Sequence, residues 1–356
     1  MKRNIILSLL SFCVAFGAFA QTNDSVPVQD KKQYLVYGVA FYNLENLFDT
    51  INSNGKYDYE FSPDGTRGWT SERYWSKINK LARCISHMTT PQTPYGPAII
   101  GVSEIENKGV LDDLVQADSL KKWNLQVIHH DSPDRRGVDV GLLYSPYFFK
   151  PIDVNNHTLF VPDNPDFLTR DQMCVTGVMG GDTLSVIVNH WPSRLGGQER
   201  SSYLREAAAK LSKHIADSLW AIRPNQGVII MGDLNDDPQD KSCAVALGAQ
   251  RDAEGVAPHG FFNPWWKVLE SGVGTLSYRG AWNLFDQIIV SGTLMQNSYD
   301  NLHYWNCIIN DFDFLYQQDG PYKGTPLRTY AGGKWLDGYS DHFPTEIFLI
   351  KEKKNK

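Results

Sequence analysis

Short runs of β-branched and aromatic residues alternate with amphipathic stretches along almost the whole chain. Strands are predicted at 34–42, 98–105, 125–130, 139–145, 184–188, 227–231, 285–291 and 345–350, each bounded by turn residues. Between them, 71–88 and 109–123 read as helices. The clearest helix is predicted over 199–222, where Leu204, Ala208, Leu211, Ile215, Leu219 and Ile222 recur at spacings of three and four. Strands and helices interleave with no linker-like break, which predicts one α/β domain over residues 34–356. Three long connections interrupt the rhythm, at 50–69, 253–266 and 310–339. Loops of this length in a compact domain usually carry function or are disordered, and their aromatic content favours function.

The first 20 residues follow a different pattern. Lys2 and Arg3 precede an apolar run from Ile5 to Phe16, and Ala18-Phe19-Ala20 offers a small-x-small cleavage site. This is the anatomy of a signal peptide, too short for a stable membrane anchor, so export to the periplasm or beyond the cell is expected. Residues 21–33 are polar and read as a flexible leader. Cleavage after Ala20 would leave 32 basic against 40 acidic residues, a formal charge of −8. A net-acidic protein does not coat itself with nucleic acid by charge alone, so polyanion binding must be local or metal-assisted. Cys84, Cys174, Cys243 and Cys307 form no CxxC pair, which argues against structural zinc and for buried free thiols. No obligate protein partner is evident.

Chemistry concentrates where predicted strands end. The five clusters are Asn43-Leu44-Glu45-Asn46, Ser103-Glu104-Ile105-Glu106-Asn107, Asn189-His190-Trp191-Pro192-Ser193-Arg194, Gly232-Asp233-Leu234-Asn235 and Ser340-Asp341-His342. Each alone is an ordinary turn sequence. Five together point to one pocket, because ligand sites in α/β sheets form at strand ends. If 104–106 stays extended, Glu104 and Glu106 share one face of the strand, and alternation cannot choose between them. Glu45 is a secondary candidate. Arg135, Arg136, Arg194 and Arg200 lie near the clusters, and Arg forks suit phosphate oxygens. Arg136 and Arg194 are the candidates taken forward.

In order and identity these clusters, with Phe285-Asp286-Gln287-Ile288, resemble the endonuclease/exonuclease/phosphatase superfamily, which holds pancreatic-type deoxyribonuclease, exonuclease III-like nucleases, bacterial sphingomyelinases and inositol polyphosphate phosphatases. Ser103 stands where relatives carry Gln. The resemblance runs from about Tyr34 to the end and implies a four-layer α/β sandwich, two packed mixed β-sheets flanked by helices. It implies Glu104 as the principal metal carboxylate, with Asn43 and Asp341 completing an oxygen shell for Mg²⁺ or Mn²⁺, or for Ca²⁺. Asp233 would orient or deprotonate the attacking water beside Asn235. His342 would face the scissile phosphate, held by Asp286, and His190 would contact the phosphate or protonate the leaving oxygen.

The implied reaction is metal-assisted hydrolysis of a phosphoester by in-line attack of water. The runs around Asn43 and His190 look most like those of secreted bacterial nucleases, so a nucleic acid is the expected substrate. The alternatives are a sphingomyelinase-like lipid phosphodiesterase and a small-molecule phosphatase. A catalytically inactive binding protein ranks last, since the acids and histidines are all present. Phe261, Phe262, Trp265 and Trp266 have three readings: aromatics that stack on bases, a membrane-dipping tip, which the lipid reading favours, or part of the core.

Overall fold

The computed structural model describes residues 32–52 and 58–354. The expected signal peptide and nearly all of the expected leader lie outside them. Thirteen strands form two sheets, and labels follow chain order. The first sheet runs β14 (His303–Ile309), β17 (Thr345–Glu352), β1 (Tyr34–Leu47), β2 (Ile99–Ile105), β4 (Asp139–Tyr144) and β3 (Gln126–His129). The second runs β5 (Phe149–His157), β6 (Gln172–Met179), β7 (Asp182–His190), β8 (Gly227–Asp233), β13 (Asp286–Ser291), β10 (Phe261–Phe262) and β9 (Ala249–Gln250). Two hairpins stand apart, β11 (Leu276–Tyr278) with β12 (Ala281–Asn283), and β15 (Tyr330–Ala331) with β16 (Lys334–Trp335). In each sheet the central pair, β1 with β2 and β7 with β8, is parallel; β1 pairs antiparallel with β17, and β8 with β13.

Alternation along these strands builds the layers. Val39 and Phe41 of β1 face Val186 and Val188 of β7, Ile229 and Met231 of β8, and Ile288 of β13, in the core between the sheets. Ala40, Tyr42 and Leu44 point the other way, under α1 (Ser71–Ser86) and α2 (Lys108–Gln116). Ile187, Val228 and Ile230 likewise face α3 (Gln198–Ile222) through Leu204, Ala208, Ile215 and Trp220. Each fully buried Val, Leu, Ile, Phe or Met among them contributes about 1.5–3 kcal/mol. The result is the expected four-layer sandwich. Among the described residues no helix is long and apolar enough to cross a membrane.

Several elements differ from the sequence reading. The second helix stops at Gln116, and a 3₁₀ turn follows at Lys121–Trp123. Strands β5, β6 and β14 were not anticipated. The 253–266 connection contains β10 and leads into the short helix α4 (Trp265–Glu270), and its aromatics are core: Phe261, Phe262 and Trp265 are buried. The membrane-tip reading of that cluster is therefore corrected. The four cysteines of the domain are free thiols, three of them buried.

One buried acid lies away from the strand-end clusters. Glu346 of β17 is fully buried, its Oε2 accepting from Asn310 Nδ2 at 3.2 Å. Its Oε1 sits where a Cβ on Gly38 would come within 2.2 Å, so Gly38 makes the space. Burial pushes this carboxyl up to about 8. The folded state then holds a proton that the unfolded chain releases near its ordinary value. Stability should fall as pH rises from about 5 to 8. Glu346→Gln should remove about 1–3 kcal/mol of that fall. Thermal melts of both proteins at pH 5 and pH 8.5 check this; equal losses in the two would refute it.

Candidate active site

The clusters converge at one end of the sandwich because β1 and β2 run parallel in one sheet, β7 and β8 in the other, and all four finish on the same side. The chain supplies the fifth member just before β17 begins. β1 carries Asn43, which is buried; its Nδ2 donates to Asp233 Oδ2 at 3.0 Å, and its Oδ1 accepts from Glu45 N at 2.8 Å. This amide bridges the two sheets across the site.

Glu104 sits in a bulge of β2 with φ of +60°, left-handed backbone that a non-glycine residue rarely adopts. The bulge breaks the strand alternation and separates the two rival acids. Glu104 Oε2 accepts from Asn46 N at 3.0 Å, and its Oε1 lies 3.9 Å from His190 Nε2. Glu106 turns away and accepts from Asp49 N at 2.7 Å, while Asn107 caps α2 through Val110 N. Glu104 faces the site, and Glu106 ties down the chain beyond β1.

Asp233 ends β8 after Gly232, whose Cβ would lie 2.2 Å from Asn189 O; only glycine permits that approach to β7. Asp233 Oδ2 is 3.7 Å from His190 Nε2 and 3.9 Å from His342 Nε2, and its Oδ1 accepts from Asn235 N at 3.0 Å. Burial, opposed by His342 and reinforced by Asp286 and Glu104, pushes this carboxyl up to about 7. Asn235, itself left-handed, donates through Nδ2 to Trp191 O at 3.0 Å.

His342 is buried, with Nδ1 2.6 Å from Asp286 Oδ2. Thr275 Oγ1 donates to the same oxygen at 2.5 Å. Burial opposes the imidazolium, but Asp286, Asp341 and Asp233 outweigh it and hold His342 well above the ordinary histidine range. Ser340 fixes the segment, its Oγ donating to Asn43 O and accepting from His342 N. His190 is the opposite case. Burial, then Arg170, Arg136 and His342, drive it well below its ordinary value. The two histidines of the site are thus pushed in opposite directions.

Asp341 is partly open to solvent and lies 3.8 Å from His342 Nε2 and 3.6 Å from Arg328 Nη2. Glu45 stands behind it, 3.7 Å from the fully buried Lys77 of α1, and accepts from Thr329 N at 2.6 Å. Lys77 also donates to Thr329 Oγ1 and, at 2.7 Å, to Tyr339 O, fastening the 310–339 connection to α1. Burial and Asp341 push Glu45 up to about 7, against Lys77.

The donor set suits a hard divalent cation. Glu104 and Asp341 keep some solvent access, Asn43 brings an amide oxygen to the end of β1, and Asp286 Oδ1 is buried with no hydrogen-bond partner among the described residues. Asp233, Asp286 and His342 each bring a ligand atom within 4.8 Å of the others. The hydrogen bond inside that trio marks His342–Asp286 as an acid–base pair instead. Arg136 keeps an exposed side chain near His190. Arg194 corrects its expectation as a phosphate ligand. Its guanidinium lies 2.7 Å from Asp240, 3.3 Å from Asp236 and 3.5 Å from Asp237, its Nε donates to Asn235 O, and it packs over Phe285. Its charge is spent bracing the loop after β8. A cavity of about 620 Å³ lies elsewhere, at the opposite ends of β7 and β8 beside Asp182 and Gly227.

Sequence reasoning missed Arg170, Thr275, Lys77 and Arg328. No local signal marks them, since each reaches the site from a connection or helix remote in sequence.

Residues 38–351 match the model of the Endonuclease/Exonuclease/phosphatase family. Among solved structures, a humanized D. rerio TDP2 with 14 mutations superposes with a TM-score of 0.53 at 12% identity, covering 88% of this chain and 98% of that one. D. rerio TDP2 complexed with single strand DNA product gives 0.52 at 11% identity, over 88% and 98%. The mannosyl-6-phosphatase of Bacteroides thetaiotaomicron VPI-5482 gives 0.53 at 17% identity, over 88% and 99%. At these identities the likeness is one of fold. No curated protein matches the sequence significantly.

Proposed function

This chain belongs to the endonuclease/exonuclease/phosphatase family, whose enzymes are phosphoester hydrolases that use divalent metals, and on that footing we propose that it is an exported phosphodiesterase cleaving nucleic acid. The observation that carries the diester reading is the shortage of free positive charge. Arg170 and Arg205 are buried in ion pairs with Asp134 and Asp236, and Arg194 is bound to the loop after β8. Arg136 and Arg328 keep solvent access beside His190 and Asp341, and Arg135 is exposed next to Arg136, with one guanidinium nitrogen donating to Asp166 O. A diester monoanion needs no more than this, whereas a terminal or polyphosphate group calls for a denser cluster. The DNA product bound to D. rerio TDP2 supports the same direction. Burial of Phe261, Phe262 and Trp265 takes away the support for a lipid substrate.

In this reading water attacks phosphorus in line, and Asp233 takes its proton. The bond to the leaving oxygen breaks as His342, held protonated against Asp286, donates a proton to it. His190, kept neutral, donates a hydrogen bond to a phosphate oxygen, which favours its contact role over protonation of the leaving group. Glu104, Asn43 and Asp341 would hold the divalent ion, which when bound neutralises charge on the phosphoryl oxygens.

The test is cleavage of supercoiled plasmid by the protein beginning at Gln21, with Mg²⁺ or Mn²⁺, with EDTA, and as Asp233→Asn. Nicking that needs the metal and is lost in the variant is expected. Intact plasmid, with phosphate released from a sugar phosphate by the same preparation, would overturn the nuclease reading. The mass of the form recovered outside the cytoplasm, starting at Gln21, checks export.

A further inference from the structure

His342 and His190 are held by different means. The ring of His342 is gripped by a carboxylate, Asp286. The Nδ1 of His190 is buried and has no hydrogen-bond partner among the described residues, so no side chain orients that ring through it. Its Nε2 lies 3.7 Å from Asp233 and 3.9 Å from Glu104, beyond hydrogen-bond reach, so its placement leans on the main chain, which the β7–β8 ladder and one buried arginine hold.

Arg170, just before β6, is buried to 7% exposure. Its Nε donates to His190 O at 3.1 Å and its Nη2 to Trp191 O at 2.6 Å. Its Nη1 reaches Asp134 Oδ2 at 3.2 Å. Trp191 O is also the acceptor for Asn235 Nδ2, so arginine and asparagine meet on one carbonyl. Asp134, equally buried, accepts from Arg136 N at 2.9 Å through its other oxygen. A guanidinium is the one side chain whose rigid fork reaches two successive carbonyls and a carboxylate at once; an ammonium can keep the charge but not the geometry. Burying an arginine costs several kcal/mol unless such partners compensate, and a purely apolar contact would serve packing better.

We propose that Arg170 is a positioning residue of this site. Through the carbonyls of His190 and Trp191 it sets the His190 ring and the Asn235 amide, and through Asp134 it couples them to the loop that carries Arg136. The inference rests on the phosphoesterase reading above, though not on the choice of substrate.

The test compares Arg170→Lys and the charge-balanced pair Asp134→Asn with Arg170→Gln, using bis(p-nitrophenyl) phosphate and thermal melting. Arg170→Lys keeps the charge beside Asp134, and kcat should fall about 10–100-fold with KM within about threefold, because a misplaced group costs rate more than binding. The double variant removes the buried ion pair, so it should melt close to wild type while kcat stays low. Recovery of wild-type kcat in the double variant would overturn the proposal, as would a loss in Arg170→Lys that merely tracks a fall in Tm. If wild type turns over no phosphoester, the reading of the site fails instead, and the Asn235 side-chain amide resonance then decides on Arg170. It should shift in Arg170→Lys, and an unchanged resonance would refute the positioning role.

Discussion

His342→Ala is expected to lower kcat for phosphodiester cleavage by about 10³–10⁴-fold, the scale on which removal of a central acid–base group acts. The expectation follows from how much of the surrounding structure is devoted to this one ring. Asp286 is buried and spends one oxygen on both His342 Nδ1 and Thr275 Oγ1. The Ser340 hydroxyl fixes the backbone ahead of it. Nε2 is left between Asp233 and Asp341, where a reacting phosphate would sit. Asp286→Asn should cost no more, about 10²–10⁴-fold, since the amide can still touch Nδ1 but no longer holds the proton on the ring. KM should move little in either variant. Single-turnover kinetics on a labelled oligonucleotide would separate the effects; His342→Ala retaining more than about a tenth of wild-type rate would remove this residue from the reaction.

The strand-end residues were legible in the sequence because strand periodicity places them and their chemistry is concentrated in short runs. Asn43, Glu104, His190, Asp233 and His342 all come together as that logic requires. Two of the unanticipated strands, β5 and β14, failed the same logic for physical reasons. β5 is a sheet edge, mostly exposed and interrupted by Pro151, so its pattern is polar. β14 is the other sheet's edge and only partly buried. Local pattern also cannot report a bulge: the left-handed turn at Glu104 decides which acid faces the site, and it arises from pairing with β1 and β4. Arg194 shows the converse. Its sequence position beside His190 invites a role at the phosphate, yet the acids that capture it lie more than 40 residues later in the chain. Arg170 and Thr275 act through contacts that exist only after the two sheets and their connections have packed.

Glu104 in β2 and Glu106 just beyond it provide the sharpest contrast the site allows. Glu104→Gln is expected to lower activity by at least about 10²–10³-fold, in the range of losing a metal carboxylate or a strong electrostatic contact. The substitution is nearly isosteric, and Asn46 N can still find an acceptor at position 104, so the fold should survive. Binding of Mg²⁺ or Mn²⁺ to the native state raises stability by RT ln(1 + [L]/Kd), about 1.4 kcal/mol at tenfold the Kd, which is a Tm rise of roughly 2 °C for a domain of this size. That rise should be present in wild type and absent in Glu104→Gln. Glu106→Gln should do the reverse. It weakens the acceptor for Asp49 N and so costs stability, on the order of 1 kcal/mol, while the metal-dependent rise and most of the activity remain. If the metal response instead disappeared with Glu106 and persisted without Glu104, the ligand would be the wrong acid, and the bulge that turns Glu104 inward would need another explanation.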